Sequence, residues 1–267
     1  MEAKINGEKL TALLQGCPMG KKLIYKETVD STNLVIKRAA LAGAPHGTVA
    51  MAEQQTAGRG RRGRSWASPP GDNLYFSLML CPDFPTRMAP MLTLVMAVAV
   101  AQAVRHEGVN GKIKWPNDLV VNGRKVCGIL TELYLKEDDS FYVIIGTGIN
   151  VNQQDFPAEL KKTATSLCIE KGGMISREEL LSSILHFFND YYNRFIQDGN
   201  LSGLRKEYEG LLVNCDAQVE VQDPKGSWRG VAKGINDTGE LLVRREDGGI
   251  EAVFAGEVSV RGIYGYV

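Results

Sequence analysis

Apolar residues in this 267-residue chain are spaced in two different ways. Up to about residue 212, short apolar runs that are typical of buried strands alternate with stretches of helical spacing. From about residue 213 onward only short strand-like runs remain, and they are separated by Gly, Asn and Asp. The pattern predicts a larger domain over residues 23–212, a short extension over residues 1–22, and a small domain over residues 213–267.

Helices are predicted at four places. The stretch 176–197 carries a stripe of Leu, Ile, Phe and Tyr, and Ser176 with Glu179 forms a capping box at its start. The uncharged run 88–104 has 17 residues, fewer than the ~20 that span a bilayer, so it predicts a buried core helix. Shorter helices are expected over residues 8–14 and 34–41.

Strands are predicted where apolar, β-branched runs end at turn residues. In the larger domain these runs are 23–27, 47–54, 74–80, 112–121 with Pro116 as an interruption, 126–132 and 141–145. In the small domain they are 218–222, 228–235, 239–245, 250–254 and 257–262, with turns at 223–226, 236–239 and 247–249. Five short strands in about 50 residues indicate a small antiparallel barrel.

Charge and cysteine content exclude several classes of protein. Lys plus Arg equals Asp plus Glu at 31 each, whereas a general nucleic-acid binder is usually basic overall. The five cysteines are widely spaced and form no Cys-x-x-Cys pair, which argues against structural zinc and against a disulfide framework. The N-terminus has no apolar signal segment. We therefore expect a cytoplasmic protein with free thiols that does not enter a membrane.

The strongest local signal is the loop Gly58–Trp66, called the arginine loop below, which holds three glycines, four arginines and one tryptophan. Glycine allows the backbone to approach a ligand closely, and arginine offers a planar fork of donors to carboxylate or phosphate. So many like charges repel each other unless an anion joins them, so we expect the loop to be mobile when empty and ordered by its ligand. A solvated loop, a localisation signal and a nucleic-acid tail are the alternatives.

Polar residues at strand ends form further candidate sites. Ser31 and Thr32 either cap a helix or also bind a polar ligand. The segment 114–118 contains Lys, Asn and Asp, which suit either a plain hairpin or a nucleotide–magnesium site. Lys125 begins an apolar strand, either as an edge gatekeeper or as a cation that faces a site. The glycines of 146–150 indicate either a β-bulge or close approach of a ligand.

In this order, the motifs resemble those of the biotin protein ligases. The matching segments are Asp-Ser-Thr-Asn at 30–33, Gln54-Gln55 before the arginine loop, Lys-Trp-Pro-Asn-Asp-Leu at 114–119, Gly-Arg-Lys-Val-Cys-Gly-Ile-Leu at 123–130, and Gly-Thr-Gly-Ile-Asn at 146–150. The resemblance covers roughly residues 23–262. It implies an α+β fold, with a central mixed sheet and flanking helices of the biotin ligase and class II synthetase type, plus a small C-terminal SH3-like β-barrel.

The resemblance also implies roles for individual residues. Lys125 and Arg61 would be catalytic. Contacts to biotin would come from Ser31, Thr32, Asn33, Gln55, Arg59, Gly60, Arg61, Lys125, Gly128 and Gly146. Contacts to the nucleotide would come from Arg61, Arg64, Trp66, Lys114, Asn117, Asp118 and Asn150, with Trp66 near the adenine and Asp118 holding Mg²⁺.

The implied reaction is the ATP-dependent, AMP-forming ligation of biotin to protein. Biotin and ATP would be substrates with Mg²⁺, biotinyl-5′-AMP the intermediate, and a lysine of a biotin carboxyl carrier domain the acceptor. Many relatives carry an N-terminal domain that represses biotin genes, whereas only about 22 residues precede the first predicted core strand here. We therefore expect no DNA binding and no repressor activity. A homodimer formed through sheet edges is a hypothesis.

Two other functions fit parts of the same pattern. A lipoate or octanoate ligase shares the general fold but would need a pocket for a long acyl chain, and the arginine loop does not match that family. A nucleic-acid-binding module would use the arginine loop and Trp66 and would bind with a steep salt dependence. The zero net charge and the absence of a helix-turn-helix pattern argue against it.

Overall fold

The computed structural model describes residues 4–222, 226–255 and 259–262, and within them it contains two β-sheets. The larger sheet has seven strands in the order β1-β2-β3-β7-β6-β5-β4. Their bounds are β1 Leu23–Val29, β2 Val49–Gln55, β3 Leu74–Leu80, β4 Lys112–Lys114, β5 Asp118–Val121, β6 Arg124–Leu135 and β7 Phe141–Ile149. Only β1 and β2 are parallel; every other neighbouring pair is antiparallel, so the sheet is mixed as predicted.

Six α-helices are present in the described residues. They are α1 Gly7–Leu13, α2 Thr32–Leu41, α3 Leu92–His106, α4 Leu167–Lys171, α5 Arg177–Asp198 and α6 Ser202–Leu211. The side chain of Ser176 accepts a hydrogen bond from the amide of Glu179, which is the bond expected of the capping box at the start of α5. The sequence pattern did not predict α4 or α6.

The two faces of the large sheet are covered by different helices. On one face α3 and α5 pack together, and 11 of the 15 residues of α3 are buried. The segment Thr86–His106 is long and apolar enough to cross a membrane, yet 78% of its most apolar window is buried inside the protein. It begins as a 3₁₀ turn over Thr86–Met91, which contains Pro90, rather than as the single α-helix predicted from residue 88. On the opposite face α2 packs against β2, β3 and β7.

A second, antiparallel sheet follows α6, with the strand order β11-β10-β9-β8-β12. Its strands are β8 Gln218–Gln222, β9 Trp228–Ile235, β10 Leu241–Arg244, β11 Ile250–Val253 and β12 Ser259–Gly262. The predicted turn at 223–226, the start of the strand 257–262 and the last five residues of the domain 213–267 lie largely outside the described residues. The fold class predicted above, a mixed sheet with helices plus a small C-terminal β-domain, is confirmed.

Hydrogen bonds join the second sheet to the larger domain. Trp115, between β4 and β5, donates its indole N–H to the carbonyl of Gly239 at 3.0 Å. The amide of Ile235 on β9 donates to the carboxylate of Glu209 on α6 at 3.2 Å. These contacts bring the C-terminal sheet alongside the ends of β4 and β5, where the predicted Lys-Trp-Pro-Asn-Asp segment lies.

Candidate active site

Glycines on two neighbouring strands make room on the sheet face that α2 covers. A Cβ added to Gly146 on β7 would lie 2.1 Å from the amide oxygen of Asn33, and one added to Gly148 would lie 2.5 Å from the indole nitrogen of Trp66. On β6, a Cβ at Gly128 would lie 3.0 Å from the same indole ring. Real Cβ atoms essentially never lie under 3.0 Å from another heavy atom, so a side chain at Gly146 or Gly148 would force Asn33 or Trp66 to move. The interpretation of these glycines as positions of close approach is thereby favoured over a bulge.

Two cavities meet above this floor. The inner cavity, of about 50 Å³, lies over the glycines and beside the start of α2. The outer cavity, of about 150 Å³, lies between the arginine loop, the 114–118 segment and β12. Residues that line both are Gly60, Arg61, Trp66, Asn117 and Lys125. The loop and Lys125 therefore stand at the junction of the two cavities.

Hydroxyl and amide groups line the inner cavity at the start of α2. The backbone amide of Thr32 donates to the side-chain carbonyl of Gln55 at 2.9 Å. The hydroxyl of Ser77, on the buried strand β3, lies 2.7 Å from the Thr32 hydroxyl and 2.6 Å from the Asn33 amide oxygen. Ser31 occupies the N-cap position of α2, but its side chain makes no capping hydrogen bond. These groups form a preorganised set of donors and acceptors suited to a polar, uncharged ligand head.

The arginine loop folds as a small hairpin over both cavities. The amide of Gly60 donates to the carbonyl of Arg64 at 2.7 Å, and the amide of Trp66 donates to the carbonyl of Gly58 at 2.9 Å. Arg62 has φ 57°, a left-handed conformation that completes the turn at the loop tip. The expectation that the loop is mobile when empty stays a prediction.

Two arginines of the loop are held by partners elsewhere in the chain. Arg59 forms an ion pair with Glu132 on β6 at 3.1 Å. Arg61 donates to the side-chain carbonyl of Asn117 at 2.8 Å and to the main-chain carbonyl of Ala255, which follows β11. Arg61 therefore connects the loop to both sheets.

Lys125 lies at the centre of the site. Its ammonium is 2.7 Å from a carboxylate oxygen of Asp118 and 5.1 Å from the centre of the Trp66 ring. The backbone amide of Lys125 donates to the carbonyl of Thr163, and the carbonyl of Lys125 accepts from the backbone amide of Thr165. The strand therefore has no open edge at this residue. The edge-gatekeeper interpretation is therefore excluded, and a cation that faces the cavities is what remains.

The outer cavity is strongly basic. Lys114 is buried, and burial lowers the pKa of its ammonium to about 8, with the neighbouring cation of Lys125 acting in the same direction and Asp118 opposing it. Arg64 and Arg261 also line this cavity. An anion bound here would favour the charged form of Lys114. Asp118 is the only carboxylate among the described residues that line either cavity.

Of the predicted site residues, Asn150 lies outside both cavities, whereas Trp66 lines both. Asn150 does not line either cavity; its side-chain amide donates to the carbonyl of Thr165 at 3.0 Å, and its backbone amide donates to Val126 at 2.8 Å. It therefore braces the segment that pairs with Lys125. Trp66 faces the glycine floor of the inner cavity as well as the outer one, and its indole N–H is buried without a hydrogen-bond partner among the described residues.

Three residues of the site escaped prediction. Ser77 is the one serine in the otherwise apolar and aromatic run 74–80, and an isolated serine in a buried strand is a signal that could have found it. Glu132 is the one acidic residue of β6, and an isolated carboxylate in a strand could have been noticed in the same way. Arg261 carries no such signal, because it is an ordinary exposed residue of a short strand.

Sequence comparison finds two domains that cover most of the chain. The Biotin/lipoate A/B protein ligase family matches residues 25–150. The Biotin protein ligase C terminal domain matches residues 215–261, which corresponds to the second sheet.

Individual relatives match over most of their length. The chain is 40% identical over 245 residues to the Bifunctional ligase/repressor BirA of Bacillus subtilis, covering 91% of this chain and 75% of that protein. It is 32% identical over 221 residues to the Biotin–[acetyl-CoA-carboxylase] ligase of Mycobacterium tuberculosis, covering 80% of this chain and 79% of that protein. Among solved structures, the biotin protein ligase from Aquifex aeolicus in complex with biotin and ATP has a TM-score of 0.79 at 32% identity, covering 91% of this chain and 99% of that one.

Proposed function

Because the chain belongs to the biotin protein ligase family, we propose that it activates biotin with ATP and transfers the biotinyl group to a lysine of a biotin carrier domain. In the first step a biotin carboxylate oxygen attacks the α-phosphorus of ATP, which gives biotinyl-5′-AMP and releases pyrophosphate. In the second step the acceptor amine attacks the acyl carbon, AMP leaves, and the nitrogen loses a proton. That the enzyme is a ligase was expected from its motifs and is confirmed by these relatives.

The position of Lys125 and Arg61 between the two cavities is the observation that carries this proposal. The first step brings two anions together, and two unit charges about 4 Å apart repel by roughly 4 kcal/mol at an effective dielectric constant of about 20. Cations at the junction of the cavities offset this repulsion and stabilise the charge that develops on the phosphorus oxygens. Lys125 lines both cavities, as does Arg61.

We assign biotin to the inner cavity and the nucleotide to the outer one. The inner cavity offers uncharged donors and acceptors for the ureido head, and Arg59 and Gly60 of the loop lie beside it. The outer cavity offers Lys114, Arg64 and Asn117 to the phosphates. In this assignment Asn150 acts on the nucleotide site indirectly, through the segment that holds Lys125.

The small inner cavity supports an opening movement of the arginine loop. Sites for small ligands usually measure about 300–1,000 Å³, whereas this cavity measures about 50 Å³. The Trp66 ring rests on Gly128 and Gly148, so a shift of the loop and of Trp66 would enlarge the space above the glycine floor. We propose that the loop moves aside to admit biotin and then closes, which would shield the adenylate from water.

Mg²⁺ is proposed to act with the nucleotide. Proteins usually bind Mg²⁺ through one or two carboxylates together with substrate phosphates and water. Among the described residues, no three or more His, Cys, Asp and Glu side chains are grouped so that they could hold a metal ion, so a site built entirely from protein side chains is not supported. Asp118 with the neighbouring side-chain amide of Asn117 fits a Mg²⁺ site that is completed by the phosphates of the nucleotide. Mg²⁺ bound there would neutralise phosphate charge.

The test of this function is release of pyrophosphate by the purified protein. We expect release only when both biotin and ATP are present, and we expect the label of α-³²P-ATP to remain on the protein as biotinyl-5′-AMP until a biotin carrier domain is added. Lipoate in place of biotin serves as the control for the related ligases. Release that proceeds without biotin, or equally well with lipoate, would contradict the proposal.

We also propose that two copies associate through the free end of β6. The strand pairs with β5 only as far as Gly128, so residues 130–135 have no strand on that side among the described residues. Leu133 and Leu135 in this stretch are 37% and 70% exposed, and an open edge of this kind is a template for pairing. Sedimentation should show a dimer that strengthens with biotin and ATP; a monomer at every concentration would contradict it.

The acceptor and the setting of the reaction follow from the same chemistry. A carrier domain of a biotin-dependent carboxylase is the proposed acceptor, and the cytoplasm, where ATP is available, is the proposed location. The expected absence of repressor activity stays a prediction, since the Bacillus subtilis relative carries the name ligase/repressor.

A further inference from the structure

We infer that Glu132 is a positioning residue that links closure of the arginine loop to the group that recognises the ligand head. This inference rests on the proposed function. Glu132 lies on β6 and is paired with Ile144 of β7, on the sheet face that carries the glycine floor. It does not line either cavity, yet it contacts one residue from each of two segments that do.

The two oxygens of the Glu132 carboxylate have different partners. One lies 3.1 Å from the guanidinium of Arg59 in the arginine loop. The other accepts a hydrogen bond from the side-chain amide of Asn33, at the start of α2, at 2.7 Å. The Glu132 side chain is only 19% exposed. A single carboxylate thus joins the loop to α2 through β6.

The contact with Asn33 determines which way its amide group points. A carboxylate can only accept hydrogen bonds, so the NH₂ of Asn33 must face Glu132. The amide oxygen then faces Ser77, whose hydroxyl is 2.6 Å away. One N–H and one lone pair of the amide remain for a ligand in the inner cavity. Glu132 therefore holds Asn33 so that the Asn33 amide presents a defined donor and a defined acceptor to the ligand head.

The contact with Arg59 adds a dependence on the loop. The Arg59 side chain is 46% exposed, and an ion pair of this exposure contributes little to the stability of a fold. Its expected importance is local: when the loop closes, Arg59 meets a carboxylate that is already held by Asn33. Loss of Glu132 should therefore affect retention of the ligand much more than the stability of the protein.

Glu132→Gln is the sharpest variant, because glutamine keeps the shape but offers only one acceptor oxygen. If that oxygen faces Asn33, an NH₂ group faces Arg59, and the reverse orientation opposes two NH₂ groups at Asn33. We expect release of biotinyl-5′-AMP to be about tenfold faster and biotin to bind about tenfold more weakly, which corresponds to about 1.4 kcal/mol. The single-turnover rate of adenylation at saturating substrates should stay within about twofold of wild type, since a contact that is made equally in the ground state and in the transition state changes binding and not the rate.

Glu207→Gln is the matched control. It removes an ion pair of similar length, 3.1 Å to Arg194, between α5 and α6 and far from both cavities. The control should release the adenylate at the wild-type rate. A melting temperature measured for both variants separates a local effect from general destabilisation.

The outcomes distinguish this inference from the function on which it rests. If wild-type protein makes no biotinyl-5′-AMP, the proposed function fails. If wild type makes it and Glu132→Gln retains it equally long, only the role of Glu132 fails. Should the glutamine variant not fold, Glu132→Asp tests the same contacts, because aspartate keeps the charge on a side chain that is one methylene shorter. Faster release of biotinyl-5′-AMP by this variant supports the inference, and release at the wild-type rate overturns it.

Discussion

Replacing Lys125 with alanine is expected to slow adenylation by about 10²- to 10³-fold at saturating biotin and ATP. The lysine ammonium lies at the junction of both cavities, as Arg61 also does, and is 2.7 Å from Asp118. Without it, charge that develops at the phosphorus would lose a preorganised partner, and the Asp118 carboxylate would repel the phosphate. Single-turnover measurement of pyrophosphate release gives the rate directly.

Lys112→Ala provides the comparison for this experiment. Lys112 lies on β4, and its ammonium donates to the carbonyl of Gly210 on the outside of the protein at 3.1 Å. The Lys112→Ala substitution therefore removes one lysine without changing either cavity, and the adenylation rate of this variant should match that of wild type. A Lys125→Ala rate within about threefold of wild type would show that Lys125 has no catalytic role.

Replacing Gly146 with alanine is expected to weaken biotin binding by about 100-fold. The added methyl group would lie 2.1 Å from the amide oxygen of Asn33. Asn33 is held on both sides, by Glu132 and by Ser77, so it cannot yield without breaking a hydrogen bond. Overpacking of this kind costs about 1–3 kcal/mol. Isothermal titration calorimetry with biotin alone measures the loss.

Gly210→Ala is the control for the glycine substitution. Gly210 lies in α6, and a Cβ there would meet no atom within 4 Å. Alanine in a helix is also favourable, so this variant should keep wild-type affinity and gain slightly in stability. Wild-type biotin affinity in Gly146→Ala would mean that the floor of the inner cavity does not hold the ligand head.

The elements with strong local signals were well predicted from the sequence. The strand 74–80 was predicted with the bounds that the structure gives, because Leu and aromatic residues are bounded there by a polar segment and by Cys81-Pro82. The capping box fixed the start of α5 to within one residue. By contrast α4, which has five residues, is too short for a periodic pattern, and its buried Leu167 and Cys168 look the same in a strand.

Positions in the site were harder to predict than the residues that form it. Motifs at strand ends converge because the sheet brings Gly128 beside Gly148 and Asp118 beside Gly128. The order of the motifs along the chain predicts that they form one site. Spacing alone does not reveal on which side of a loop a ring will rest, so the contact of Trp66 with Gly128 and Gly148 could not be predicted. Long-range partners such as Glu132 for Arg59, 73 positions apart in the sequence, leave no local trace at all.

The bond from Arg61 to the carbonyl of Ala255 means that the C-terminal sheet is not an interchangeable module. A chimaera that grafts the corresponding sheet from a relative would have to present a main-chain acceptor at the same point, besides matching the contacts of Trp115 and Glu209. Because the acceptor is a backbone atom, alanine scanning of the graft would not detect a mismatch. Any change to the C-terminal sheet near Ala255 therefore also changes what holds the arginine loop in place.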